Sequence, residues 1–298
     1  MHVVVTGSSG LVGSALIPEL TAGGHIVRRL VRRFPADGDA RWDPVAGVLG
    51  PGALDDADAV VHLAGEGIAA GRWSAAKKAR IRDSRVRSTL LLARSMAALD
   101  RRPKVFVSAS AVGFYGDRSD ELVDEATGPG RGFLADVCKE WEAATRPASD
   151  AGVHVVNVRL GVVLSRRGGA LPTLLRPFRV GAGGPIGTGR QYMSWIAIDD
   201  VVGAIEHLLR AETVTGPVNL VAPDAVTNGE FTKALGRVLR RPTVLPVPAF
   251  ALRLLLGEMA DEMLLASTRV RPSRLLESAY RFRHPRLEAA LRHLLGKG

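Results

Sequence analysis

Apolar residues fall along the chain in two alternating rhythms. Short, largely apolar runs at Val3 to Val5, His25 to Val31, Ala57 to Ala64, Lys104 to Ser108 and Val153 to Leu160 read as strands, most of them buried on both faces. Between them, apolar residues recur at helical spacing. Leu11, Leu16, Ile17 and Leu20 form one helix that ends at Gly23-Gly24, Ile81, Leu91, Leu92 and Met96 mark a second from Ser74 to about Leu99, and a third runs from about Phe133 to Ala148. Strands alternating with helices predict an α/β fold, a doubly wound parallel sheet of the Rossmann kind over residues 1–165. After Leu164 the rhythm breaks into glycine-rich loops, Arg166 to Gly169 and Gly181 to Gly189, which are expected to form a wall or lid over a site. Residues 195–212 are expected to return to the first lobe. Residues 166–194 and 213–298, with short strands at Val218 to Val221 and Thr243 to Val247 and apolar helical positions Phe250, Leu254, Leu255, Leu264 and Leu265, predict a smaller α+β substrate lobe.

Composition narrows the picture. A chain of 298 residues can bury a large core as one or two joined lobes. The net charge of +10 is mostly arginine, since lysine occurs only at positions 77, 78, 104, 139, 233 and 297. The arginines are scattered along helices with no aromatic platform beside them, so no nucleic-acid partner is expected. No apolar run is long enough to cross a bilayer, the amino terminus reads as a strand rather than a leader, and Cys138 is the only cysteine. A cytoplasmic monomer or homodimer acting on a small molecule, without membrane or metal, is the expectation.

Candidate chemistry sits at the strand ends. The run Thr6-Gly7-Ser8-Ser9-Gly10-Leu11-Val12-Gly13 follows a strand and opens a helix. Gly7 would allow the tight turn, Gly10 the approach of a pyrophosphate, and Gly13 close packing of helix on strand, with phosphate at the helix N-terminus. Where an NAD site places an acid after the second strand, this chain has Arg32 and Arg33, and no acid lies between His25 and Pro35. A guanidinium there suits a 2′-phosphate, so NADP (NADPH) is the expected cofactor, the alternative being that both arginines are merely solvated. Leu63, Ala64 and Gly65 end another strand beside the same edge, and Arg85 lies on the basic helix that crosses near it. Ser108 and Ser110 bring hydroxyl groups to a third strand end, followed by Tyr115.

These motifs resemble the extended and atypical short-chain dehydrogenase/reductase superfamily, in particular its epimerase-like family, often labelled nucleoside-diphosphate-sugar epimerase of the SulA type. The resemblance rests on the glycine run, on Leu63-Ala64-Gly65-Glu66, Ser84-Arg85-Val86, Gly183 to Gly187, Ser194-Trp195-Ile196, Asn219 to Pro223 and the block from Arg269 through Arg283-His284-Pro285 to Leu291. It implies an NADP(H)-binding lobe, with Gly7, Ser8, Ser9, Gly10, Leu11 and Val12 at the pyrophosphate, Arg32 at the 2′-phosphate, and Leu63, Ala64, Arg85 and Val163 at other parts of the cofactor. The superfamily's usual acid-base pair is a tyrosine four residues before a lysine, whose charge lowers the phenol's pKa. Here Tyr115, Tyr192 and Tyr280 are followed at that spacing by Ser119, Ile196 and His284. On the helix where the pair belongs, Leu134 and Cys138 occupy the two positions if Glu142 is aligned as the helix acid, or Ala135 and Lys139 otherwise. Sugar-nucleotide epimerases usually carry a diphosphate-binding arginine where this chain has Met193, with Arg190 three positions earlier. Ser110, or Ser108 beside it, matches the catalytic serine and either polarises a carbonyl or lines the cofactor. Tyr115 is the substitute acid on offer, and Cys138 reads as a small buried thiol rather than a nucleophile. Two functions remain open: an NADP(H)-dependent oxidoreductase or epimerase on a small carbonyl or hydroxyl compound, and an inactive nicotinamide-nucleotide-binding regulatory module.

Overall fold

The computed structural model describes residues 1–69 and 71–297. The amino-terminal half runs β1 (His2–Thr6), α1 (Leu11–Ala22), β2 (Ile26–Val31), β3 (Ala40–Asp43), β4 (Val48–Leu49), β5 (Ala59–His62), α2 (Ala75–Ala97), β6 (Val105–Ala111), β7 (Leu122–Val123), α3 (Phe133–Ala143), α4 (Arg146–Asp150) and β8 (His154–Leu160). Then follow β9 (Val162–Ser165), β10 (Gly168–Gly169), α5 (Ala170–Arg179), β11 (Tyr192–Met193), β12 (Trp195–Ala197), α6 (Ile198–Leu208) and β13 (Gly216–Leu220). The chain closes with β14 (Val226–Thr227), α7 (Asn228–Leu239), α8 (Ala249–Leu256), α9 (Glu258–Ala260), β15 (Arg269–Val270), α10 (Ser273–Glu277) and α11 (Leu287–Leu295).

Eight strands form the main sheet in the order β13-β8-β6-β5-β1-β2-β3-β4, parallel throughout except for β4. The register sets Thr6 beside His62 and His62 beside Ser108, so β1 and β5 finish level while β6 runs on past them to Ala111. Strand order reverses between β1 and β5, which opens a crevice on that edge. Because side chains alternate across a strand, Val3 and Val5 pack with Leu16 and Leu20 of α1 and with Val201 and Ile205 of α6, whereas Val4 faces Leu92 and Met96 of α2. A separate core unites Leu171, Leu175 and Phe178 of α5, Trp195, Phe231 and Leu235 of α7, and Leu291 and Leu294 of α11.

Several sequence expectations are corrected. The strand expected at Val218 to Val221 is β13, and it joins the main sheet beside β8 rather than the second lobe. No strand forms over Thr243 to Val247; Pro242, Pro246 and Pro248 remove ladder donors, and only Val247 bridges to Ile186. The helix expected from Phe133 to Ala148 breaks after Ala143 and restarts with Pro147 in the first turn of α4. Phe250, Leu254 and Leu255 are 72%, 74% and 66% exposed, and α8 buries none of its residues. The loop 181–189, expected as a wall or lid, is tied to neighbouring segments. Gly187 N donates to Val247 O, Gly229 N to Gly189 O and Ile186 N to Asn228 Oδ1, while Gly184 lies so close to Leu245 O that no Cβ fits. Among the described residues no helix is long and apolar enough to cross a membrane.

Candidate active site

At the end of β1 the backbone turns at Gly7 with φ +68°, and a Cβ there would lie 2.7 Å from the Leu63 carbonyl carbon and 2.8 Å from Ala64 N. One on Gly13 would run into Gly7 O. The turn is closed by Gly10 N donating to Gly7 O at 2.9 Å, and α1 begins with no side-chain cap and no acid in its first turn. Its leading N–H groups are left without intrahelical partners, and the helix dipole adds positive potential, so this end is built for an anion. Leu11 is covered by the β9-β10 hairpin, where a Cβ on Gly169 would lie 2.9 Å from Leu11 Cδ2, and this brings Val163 of β9 to the same edge.

One buried chain of hydrogen bonds fixes the two strand ends relative to each other. Thr6 Oγ1 accepts from Leu63 N at 3.2 Å and Ala64 N at 3.3 Å and lies 2.7 Å from His62 Nδ1. Its own proton therefore goes to Nδ1, so Nε2 carries the imidazole proton and donates to Ser88 Oγ at 3.0 Å, which in turn donates to Ser84 O. Complete burial pushes the His62 pKa down to about 3 and keeps the ring neutral. The loop beyond β5 is braced by α2: Ser84 Oγ accepts from Glu66 N at 2.9 Å, and Arg85 Nη1 donates to Glu66 O at 3.0 Å. Arg85 lies over Trp141, and its Cζ is 3.3 Å from where a Gly65 Cβ would be. Along β2, Arg28 donates to Gly52 O and Asp55 O and Arg29 pairs with Asp39, while Arg32 and Arg33 are exposed with no ion pair among the described residues.

At the carboxyl end of β6, Ser108 and Ser110 are buried, and Ser110 meets α3. Ser110 Oγ donates to Glu142 Oε1 at 2.7 Å, and Arg159 clamps the same carboxylate through Nε to Oε1 and Nη2 to Oε2, both at 2.8 Å. Arg159 Nη1 donates to Tyr115 OH at 2.9 Å, and that phenol donates to Asn219 Oδ1 at 2.8 Å. Arg159 is 3% exposed and packs 3.5 Å from the Phe114 ring centroid. Glu142 also borders an open cavity of about 330 Å³ lined by Phe114, Lys139, Thr145 and Arg146.

Residues 3–221 match the NAD dependent epimerase/dehydratase family, and residues 247–294 match a domain of unknown function, DUF1731. The chain belongs to the NAD dependent epimerase/dehydratase family. An epimerase family protein of Mycobacterium bovis is 48% identical over 97% of this chain and 96% of its own length. A crystal structure of the human epimerase family protein SDR39U1 with NADPH superposes with a TM-score of 0.92 at 36% identity, covering 100% of both chains. The nucleoside-diphosphate sugar epimerase from Corynebacterium glutamicum is 41% identical with a TM-score of 0.83, over 99% of this chain and 58% of that one.

The expected substitute acid is enclosed. Tyr115 has no exposed surface, burial raises its pKa, and both its hydrogen-bonding directions are taken within the core. Ser110, buried, has its only proton directed at Glu142, which leaves its oxygen an acceptor and not a donor. The Cys138 thiol is buried and pushed up to about 12, which suits an inert side chain. Met193 is half-buried and accepts from Asn228 Nδ2, and Arg190 is exposed. Sequence reasoning passed over His62 and Arg159. A charged residue inside the apolar run Val155 to Leu160 was the available signal for Arg159, because arginine is almost never fully buried unless paired.

Proposed function

We propose that the protein binds NADPH through the Gly7 to Gly13 turn and Arg32, and catalyses hydride exchange with a small carbonyl or hydroxyl compound. The single observation that carries the cofactor reading is the glycine cradle, where no Cβ fits at Gly7 or Gly13 and an uncapped helix N-terminus faces outward. Gly7, Ser8, Ser9, Gly10, Leu11, Val12 and Gly13 would hold the pyrophosphate, Arg32 with Arg33 the 2′-phosphate, and Leu63, Ala64, Gly65, Ser108 and Val163 the remaining wall, with Arg85 bracing that wall. The human relative crystallised with NADPH supports the same reading. When bound, the nicotinamide supplies or takes up the hydride.

The chain's own contribution is the proton. With its hydrogen directed at Glu142, Ser110 Oγ can accept from a substrate hydroxyl or a water. As an alcohol is oxidised, its proton passes to Ser110 Oγ while the serine proton moves to Glu142, which meets solvent at the cavity beside Lys139; reduction runs the same relay backwards. A non-catalytic nucleotide-binding role is the second reading, favoured by Arg159 occupying both oxygens of Glu142. The test is titration with NADPH and NADH followed by a screen of carbonyl and hydroxyl compounds for nicotinamide absorbance change. Tight NADPH binding with turnover supports the enzyme, tight binding without any turnover supports the module, and no nicotinamide nucleotide binding overturns both.

A further inference from the structure

Outside this crevice, three potential metal ligands from distant parts of the sequence converge. One ring nitrogen each of His284 and His293 and a carboxylate oxygen of Asp199 lie within 4.8 Å of one another. Asp199 is in the first turn of α6, His284 in the loop before α11, and His293 in the last turn of α11. Asp199 Oδ2 is shielded from solvent and has no hydrogen-bond partner among the described residues; His293 Nε2 is 3.6 Å away, too far for a hydrogen bond. A shielded carboxylate oxygen left without a donor needs a partner.

The geometry suits a metal ion between the groups. Ligands at about 2.0–2.1 Å from tetrahedral zinc stand about 3.3 Å apart, against 3.6 Å for His293 Nε2 and Asp199 Oδ2 and no more than 4.8 Å for any pair, so side-chain rotations must draw the ligands inward to close the shell. The scaffold behind the ligands is already fixed. Asp200, fully buried next door, accepts from Arg283 N at 2.6 Å and from His284 N at 2.9 Å, and Tyr280 OH donates to it. That clamp holds His284 against Asp199 before any ion arrives, as outer-shell partners do in metal sites. The two imidazoles stack with centroids 4.2 Å apart, so their rings must tilt to aim in-plane lone pairs at one ion, and His293, 52% exposed, has the freedom to do so and leaves an entry path. We propose that Asp199, His284 and His293 bind one divalent transition-metal ion of the zinc class, joining α6 of the first lobe to α11 of the second. The donor set, two imidazoles and one carboxylate, is the kind zinc takes. Sequence reading predicts no metal site because the ligands are separated by 85 and 9 residues and carry no motif.

The experiment uses the full chain, stripped with chelator and titrated with Zn²⁺ by calorimetry, with melting followed in parallel. One ion per chain is expected to bind, and saturation is expected to raise the melting temperature by a few degrees. His293→Ala and Asp199→Asn, at partly exposed positions that leave the Asp200 clamp intact, should each weaken binding by at least about tenfold and abolish the melting shift. The metal-free variants should melt like the metal-free wild type, which separates loss of a ligand from loss of fold. Absence of stoichiometric binding, or binding and a melting shift that survive both substitutions, overturns the proposal.

Discussion

Among the described residues Arg32 and Arg33 have no ion pair where their neighbours Arg28 and Arg29 are engaged, and this difference carries the proposed cofactor preference. A charge-assisted guanidinium-phosphate contact worth about 1.4 kcal/mol or more gives at least a tenfold preference for NADPH over NADH. Arg32→Ala should bring the two affinities together; equal affinities in the unaltered protein would refute the assignment. Ser110 and Tyr115 separate chemistry from packing. Ser110→Ala removes the relay atom and should slow any authentic turnover by roughly tenfold to a thousandfold while NADPH affinity holds. Tyr115→Phe should leave turnover in place yet cost about 1–3 kcal/mol in denaturant unfolding, because Asn219 Oδ1 loses its donor inside the core. The opposite pattern would move the chemistry to the phenol. Glu142 is a poorer probe, since replacing it strands the buried Arg159 at a cost of about 3–5 kcal/mol.

Helix α3, which carries Glu142, is capped from the far end of the sequence. Glu262 Oε1 accepts from Phe133 N at 2.8 Å and Oε2 from Leu134 N at 3.0 Å, and Gly132 adopts φ +112° directly against that carboxylate. Glu262→Ala leaves two helix N–H groups and the positive dipole end without a partner, and should cost about 1–2 kcal/mol of stability. Faster amide exchange confined to the first turn of α3 is the local signature to measure, and unchanged exchange there would show that water replaces the cap without loss. No sequence pattern reveals this contact, because a side chain reaching from position 262 to 133 leaves no periodic trace. The glycine turn was legible for the opposite reason: local geometry demands glycine at Gly7 and Gly13, and the demand is met within one strand and one helix. Strand β13 was visible as a strand but not as a member of the main sheet, since its partner β8 lies more than fifty residues earlier and pairing depends on what the intervening chain does. The failed strand at Thr243 to Val247 shows apolar pattern losing to proline.

Across the whole molecule, stability should depend on pH through groups that the fold keeps neutral. His62 has a folded pKa of about 3 against about 6.5 unfolded, so as pH falls through that window the unfolded chain takes up a proton that the folded chain refuses. Stability is then full above about pH 6.5 and drains towards pH 3, by about 2 kcal/mol between pH 6.5 and 5. His25, also lowered by burial, acts with the same sign, while Glu125, raised by burial, opposes it above its unfolded pKa. Denaturant unfolding of the wild type and His62→Asn at both pH values isolates the contribution: the variant should lose most of the slope, and an unchanged slope would assign it elsewhere. Cys138 belongs to the same buried interior and has a further use. The folded chain offers no reactive sulfur, so a thiol reagent meets a blank until the structure opens. Labelling of Cys138 therefore times the breathing of the α3 packing from inside, and a Leu254→Cys variant on exposed α8 would place a single probe on the surface against a silent background.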